Sequence, residues 1–325
     1  MMETKFVYVL VSSETDIYYE QCLLSAYTLR HYNKDSHIIV LVDQATCDTL
    51  NKKRSELQQY VDEINVIETP VGYKPVERSR FIKTQIRKYI KGTFLFLDCD
   101  TIVTDSLSEI DNYSYDIALV TDFHGDFRTY PFRQYIIDEV RLLFDVDVSK
   151  KNKYFNSGAI FCRDTPKAHQ LFDKWFELWN ISRQKKKYKD QPPLMTADFL
   201  LGNVIDEFDG IYNCQVASSV RFLYKAKILH FFNAQYFGNS DYHPFMCKSF
   251  YQNIKSEGLL SSNVKWMALH PKELFSQYSC LVNKEKFEYL TNRETRIFES
   301  LYVSKNFLYK ILRFILKGYN KINRL

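Results

Sequence analysis

Three times before residue 91 the chain follows a short apolar run with a longer helical pattern: Phe6 to Val11 then Ile17 to Tyr32, Ile38 to Val42 then Thr46 to Tyr60, and Ile64 to Ile67 then Val76 to Ile90. Repeated strand and helix are the build of a mostly parallel sheet with helices on its faces, since a parallel strand needs a crossover to return to the same edge. A fourth run, Phe94-Leu95-Phe96-Leu97, ends abruptly in Asp98-Cys99-Asp100. Four large apolar residues suit a strand covered on both faces, and α/β sheets bind ligands at the carboxyl ends of their strands. Two aspartates at i and i+2 reach one ion only if the chain turns as the strand ends. Their oxygens select a hard cation, Mn²⁺ or Mg²⁺, that shares its remaining positions with water and phosphate.

Later runs continue the pattern, with strands from Ile117 to Val120, Ala159 to Cys162 and Ala226 to Phe232, and a helix from Pro166 to Ile181 opened by Asp164-Thr165-Pro166. The expectation is an α/β fold, doubly wound and nucleotide-binding, over residues 1–235. An acceptor-side region over 236–304 and a basic helix over 305–325 would follow.

The ordered series Ser79-Arg80-Phe81-Ile82-Lys83-Thr84, Leu97-Asp98-Cys99-Asp100-Thr101, Asn156-Ser157-Gly158, Asp190-Gln191, Tyr212-Asn213 and Lys227-Ile228-Leu229-His230-Phe231 resembles the GT-A glycosyltransferases, and within them glycosyltransferase family 8. The resemblance covers about residues 5 to 235. It implies a GT-A fold, Rossmann-like with a mostly parallel mixed sheet, and transfer of a sugar from a nucleotide-diphosphate sugar, UDP-sugar above all, with retention. It also implies that Asp98 and Asp100 hold Mn²⁺ or Mg²⁺ with His230 as third ligand. Arg80 and Lys83 would serve the diphosphate or a sugar hydroxyl, and Asn156, Ser157 and Gly158 would approach the sugar ring. Asp190 and Gln191 would lie near the anomeric carbon, and Ser12 and Asp43, at the ends of the first two strands, near base and ribose. Two departures stand out. His230 is followed by Phe231-Phe232-Asn233-Ala234-Gln235 where the family has a Gly and then Lys-Pro-Trp, and Asp190-Gln191 is followed by Pro192-Pro193 where it commonly has an acid and an aliphatic residue.

Each assignment has a plainer competitor. His230 lies between apolar residues, as a satisfied core histidine does; Arg80 and Lys83 suit a solvated helix face; Asn156-Ser157-Gly158 suits a loop and Asp190-Gln191 a helix cap. His124, within Asp122-Phe123-His124-Gly125-Asp126, is a candidate for an acceptor site or part of a polar loop. Two other functions compete as well. A haloacid-dehalogenase-type phosphatase would use Asp98 as nucleophile, although that motif normally opens its domain. A non-catalytic, membrane-associated sugar-binding module would bind without turnover.

Seven widely spaced cysteines without a Cys-x-x-Cys pair point to reduced thiols. Neither a signal-peptide pattern at Met1-Met2-Glu3-Thr4-Lys5 nor an apolar run near the ~18 residues needed to cross a bilayer is present, so a cytoplasmic setting is expected. From Leu301 to Leu325 there is no acid, and six bases occur: Lys305, Lys310, Arg313, Lys317, Lys321 and Arg324. The net charge of +5 therefore resides in this tail, which leaves the rest at about −1 and gives nucleic-acid binding no support. Wound as a helix, Leu308, Ile311, Leu312, Ile315, Tyr319 and Ile322 form a stripe opposite Lys310, Arg313, Lys317, Lys321 and Arg324. This suits peripheral docking on an anionic inner leaflet near a glycan or lipid-linked acceptor, or packing on the core or a partner chain. Lys185-Lys186-Lys187-Tyr188-Lys189 is a candidate to face the same membrane or an acceptor pyrophosphate, or a solvated loop.

Overall fold

The computed structural model describes residues 2–219, 221–232, 243–275, 294, 297–298, 301–302 and 307–323, with 317–323 as backbone only. Outside the described residues lie Asn233 to Gln235, the expected boundary at 235/236, 236–242 and 276–293 with a few residues up to 304, Cys280, Lys305 and the side chains of Lys317, Tyr319, Lys321, Ile322 and Arg324.

A seven-stranded mixed sheet forms the centre, in the order β3-β2-β1-β4-β7-β6-β8. Its strands are β1 (Lys5–Leu10), β2 (Ile38–Val42), β3 (Glu63–Val66), β4 (Phe94–Leu97), β6 (Ile117–Thr121), β7 (Phe155–Cys162) and β8 (Asp206–Glu207). Only β7 runs against its neighbours, pairing antiparallel with β4 and β6. A small second sheet has the order β5-β10-β9, from β5 (Thr101–Val103), β9 (Cys214–Gln215) and β10 (Ile228–His230). The expected α/β architecture is observed, and β1, β2, β4, β6 and β7 are buried on both faces as their unbroken apolar runs require.

Helix α1 (Tyr18–Tyr32) lies over one face of the sheet and α6 (Pro166–Gln184) over the other, where Trp175 and Trp179 are fully buried. Thr165 caps α6 through Ala168 N–H, with Pro166 in the first turn, as the sequence indicates. Two expected helices are broken. Thr46 to Tyr60 forms only α2 (Gln44–Cys47) and two 3₁₀ turns, Lys52–Arg54 and Glu56–Gln59. There Asn51 Nδ2 donates to Asp48 O and Lys52 takes a positive φ of 47°, so side-chain competition for the backbone wins over apolar spacing. Val76 to Ile90 divides into α3 (Pro75–Lys83) and α4 (Ile86–Tyr89), with Thr84 Oγ1 bonded back to Arg80 O at the break. Two further helices, α5 (Arg133–Phe144) and α7 (Gln191–Leu200), lie outside the expected elements. Pro192 and Pro193 occupy the first turn of α7, where a missing N–H costs nothing.

Helices α8 (Lys248–Glu257) and α9 (Ser262–Leu269) pack on α1, and their Tyr251, Ile254, Val264 and Ala268 join the core beneath it. The terminal helix (Phe307–Asn323) leaves Leu308, Ile311 and Ile315 exposed. Among the described residues no helix is long and apolar enough to cross a membrane, and all six described cysteines are free thiols.

Candidate functional site

The chain turns as β4 ends. Thr101 Oγ1 donates to Asp98 O at 2.9 Å, closing the turn that lets Asp98 and Asp100 face one space, while Cys99 between them points toward β1 and donates to Val9 O. Tertiary pairing then supplies the histidine. Antiparallel β5 and β10 set His230 opposite Thr101, and Phe231 N–H donates to Asp100 O at 2.8 Å. One ligand atom from each of Asp98, Asp100 and His230 lies within 4.8 Å of the others, and among the described residues this is the one group of three such side chains so placed. Two carboxylates and an imidazole are a donor set able to hold a divalent metal.

His230 Nε2 is 3.1 Å from Asp100 Oδ1. Burial works against the charge on both groups. Their mutual attraction outweighs it, holding Asp100 below the usual carboxylate range and His230 above the usual imidazole value. Gly158 makes this packing possible: an added Cβ would sit 2.7 Å from His230 Nδ1 and closer still to Cε1. The close approach in the structure is thus to the imidazole. Across the β4–β7 pairing, Asp98 N–H donates to Gly158 O.

Beside the acids lies a second cluster. Lys83, 2% exposed, places Nζ 3.0 Å from Asp98 Oδ1, 3.2 Å from Ser157 Oγ and 3.2 Å from Asp190 Oδ2. An ammonium has three N–H groups, so all of its donors are committed within the protein. Ser157 Oγ donates to Asp190 Oδ2 at 2.8 Å, and Arg80 Nε is 3.1 Å from Asp190 Oδ1. Burial would raise Asp190, but Arg80, Lys83 and Ser157 outweigh it and hold the carboxyl far below its ordinary range. Arg80 keeps about a third of its side chain (32%) open to solvent, unlike Lys83. Asp190 stands at the N-cap position of α7 without capping it, since its oxygens are engaged in the site.

Asn156 and Gln191 lie behind this cluster. Gln191 Nε2 donates to Phe155 O, and Asn156 bonds Asp122, Asn213 and Gly158 N–H. The sequence assigns Asp122 and Asn213 no individual role, although Asn213 stands in the Tyr212-Asn213 piece of the family series. Asp122 carried a legible signal, because the apolar run Ile117 to Thr121 ends in an acid as β4 does, and β6 runs parallel to β4. Burial raises the Asp122 carboxyl, partly offset by hydrogen bonds from Tyr130 and Asn156.

Ser12 and Asp43 sit at the ends of β1 and β2, joined through Thr46, whose Oγ1 accepts from Ser12 N–H and whose N–H donates to Asp43 Oδ1. Ser12 Oγ donates to Asp16 and accepts from Arg54, and Asp43 pairs with Arg78. His124 lies apart, its Nε2 beside Asn213 O and Gln215 N, and burial lowers its pKa. The basic run packs on α5: Lys185 Nζ caps Leu142 O and Leu143 O, Lys187 pairs with Glu139, and Lys189 lies over the Tyr135 ring.

Residues 10–235 match the family model described as Glycosyl transferase family 8. The chain belongs to glycosyltransferase family 8. It is therefore a glycosyltransferase that draws on a nucleotide-sugar donor, and the phosphatase reading is set aside. Family 8 enzymes typically use a divalent metal, and Asp98, Asp100 and His230 form a group able to hold one. No curated protein sequence matches the chain. Among solved structures, it is similar to mouse xyloside xylosyltransferase 1 in its apo form, at 12% identity and a TM-score of 0.46 over 70% of this chain and 97% of that one. It is also similar to the glycosyltransferase GlyE of Streptococcus pneumoniae TIGR4, at 16% identity and 0.46 over 86% and 67%. A third similar structure is the galactosyltransferase LgtC in complex with donor and acceptor sugar analogs, at 14% and 0.48 over 82% and 100%.

Proposed function

We propose that this family 8 enzyme moves a sugar, with retention, from a UDP-sugar to a hydroxyl of a glycan or lipid-linked acceptor in surface-polysaccharide or glycoconjugate assembly. Asp98, Asp100 and His230 would hold Mn²⁺ or Mg²⁺. The observation that carries the reading is the convergence of these three donors beside a second cluster of Arg80, Lys83, Ser157 and Asp190. When bound, the ion supplies neutralising charge where a diphosphate departs.

The chain's own residues divide the remaining work. Lys83 acts as a clamp, fixing Asp98 and Asp190 at a set separation with its three donors. Arg80, partly exposed, keeps guanidinium donors for the diphosphate or a sugar hydroxyl. Asp190 stays ionised and accepts from several donors at once, which blunts it as a nucleophile and favours front-face attack by the acceptor hydroxyl over a covalent intermediate. Gln191 and Asn156 support the sugar side from behind, and Ser12 and Asp43 shape the base and ribose end. The terminal helix would dock on an anionic cytoplasmic leaflet, a role supported by its exposed Leu308, Ile311 and Ile315 and by the absence of any acid from residue 301 onward.

Calorimetric titration of UDP into the protein with Mn²⁺ and with EDTA, repeated on Asp100→Ala, tests the donor site. Binding that requires Mn²⁺ and vanishes in the variant is expected; equal UDP affinity in EDTA would overturn the metal assignment.

A further inference from the structure

A chain of hydrogen bonds with a fixed direction runs from Asp122, at the end of β6, to His230, and its direction is dictated by a backbone group. Gly158 N–H, which can only donate, points at the Asn156 side chain at 2.9 Å. The atom it meets must be the carbonyl Oδ1, so the Asn156 amide has one permitted orientation. Its Nδ2 then faces Asp122 Oδ1 at 2.8 Å, and Asp122 Oδ2 accepts from Tyr130 OH at 2.6 Å. Asn213 approaches the same Asn156 Oδ1 at 2.9 Å, and only its Nδ2 suits an acceptor. Asn213 Oδ1 is left facing His230 Nδ1 at 2.9 Å. Asn213 is wholly buried, at 0% exposure, and turning its amide over would set its Oδ1 against Asn156 Oδ1, acceptor against acceptor.

We infer that Asn213 is a positioning residue that keeps the proton of His230 on Nδ1 and so presents the Nε2 lone pair toward Asp98 and Asp100. An acceptor fixed behind an imidazole sets the tautomer and orientation of a metal-ligating histidine, and removal of such a partner typically weakens metal binding 10- to 100-fold. On the Nε2 side the neighbour is Asp100 Oδ1 at 3.1 Å, on a side chain 23% exposed. The Asn213 amide is held by its donation to Asn156 Oδ1, so the tautomer follows Asn213. The inference builds on the metal reading above, but its primary readout needs no metal.

The test is nitrogen-15 NMR of the histidine ring in metal-free protein at alkaline pH, where the imidazole is neutral, using wild type, Asn213→Leu and Asn213→Asp. Leu has a similar volume and no acceptor; Asp keeps an acceptor facing Nδ1. Wild type and Asn213→Asp are expected to carry the His230 proton on Nδ1. In Asn213→Leu it moves to Nε2, where Asp100 is the remaining acceptor. In a parallel Mn²⁺ titration, Asn213→Leu is expected to bind 10- to 100-fold more weakly and Asn213→Asp within several-fold of wild type. An Nε2 proton in wild type, or an unchanged tautomer in Asn213→Leu, overturns the inference. A wild type that carries Nδ1–H but binds no Mn²⁺ leaves the tautomer assignment standing and overturns the metal reading instead.

Discussion

Gly158→Ala isolates a contact that a description of β7 as a plain strand would miss. The glycine does not occupy the left-handed region, so alanine fits its backbone conformation, and at such positions the substitution ordinarily stabilises by about 0.4–1 kcal/mol through the unfolded chain. Here the new Cβ would lie 2.7 Å from His230 Nδ1 and 2.9 Å from Asn156 Oδ1, where ordinary contact begins at 3.4 Å. The imidazole must therefore retreat by at least 0.7 Å, more than the ~0.5 Å within which a site has to be held. Overpacking of this kind costs roughly 1–3 kcal/mol, so a net loss of that order is expected in place of a gain. Urea denaturation of wild type, Gly158→Ala, His230→Ala and the double variant measures it. Without the imidazole only the Asn156 contact remains, and a coupling of at least about 1 kcal/mol between the two sites is expected. Mn²⁺ affinity should fall with the displaced ring, at least the 10- to 100-fold seen when a ligand's supporting partner is lost. Costs that add to within about 0.5 kcal/mol, with unchanged Mn²⁺ affinity in Gly158→Ala, would refute the argument.

Three further outcomes follow. Asp100→Ala should abolish Mn²⁺-dependent UDP binding with little change in melting temperature; retention of that binding, measured by calorimetry, would count against the ligand set. His243 is buried as a neutral imidazole, its Nδ1 accepting from Phe245 N–H and its Nε2 donating to Pro271 O, and burial lowers its pKa from 6.5 to about 4. Between those values the unfolded chain binds a proton that the native state refuses, so stability should fall as pH drops through this window, by up to about 3 kcal/mol, and urea midpoints of His243→Phe should show a flatter acid limb. Removal of residues 305–325 should release the protein from anionic vesicles in a sedimentation assay while UDP binding persists; unchanged vesicle binding would move the membrane contact elsewhere.

Information carried locally was legible in the chain itself. The apolar run at Phe94 to Leu97 and the carboxylates that end it reveal both a buried strand and the face on which it delivers Asp98 and Asp100, because burial, strand length and metal preference are properties of neighbouring residues. The same reasoning reads the first two strands and the capped start of α6. It overextends the helices after Asp43 and Lys74, where local polar competition at Asn51 and Thr84 ends them, and it passes over α7, whose opening prolines read as a departure until they are seen in a first turn. Only the tertiary structure decides what meets at the site. His230 reaches Asp100 through the antiparallel pairing of β10 with β5, Gly158 reaches the imidazole through the pairing of β7 with β4, and Lys83 spends its donors on groups from three separate elements. Asn156 and Asn213 stand in the family series, but only pairing sets them with Asp122 in one line. The direction of that line is then fixed by a single backbone N–H, which no sequence pattern encodes.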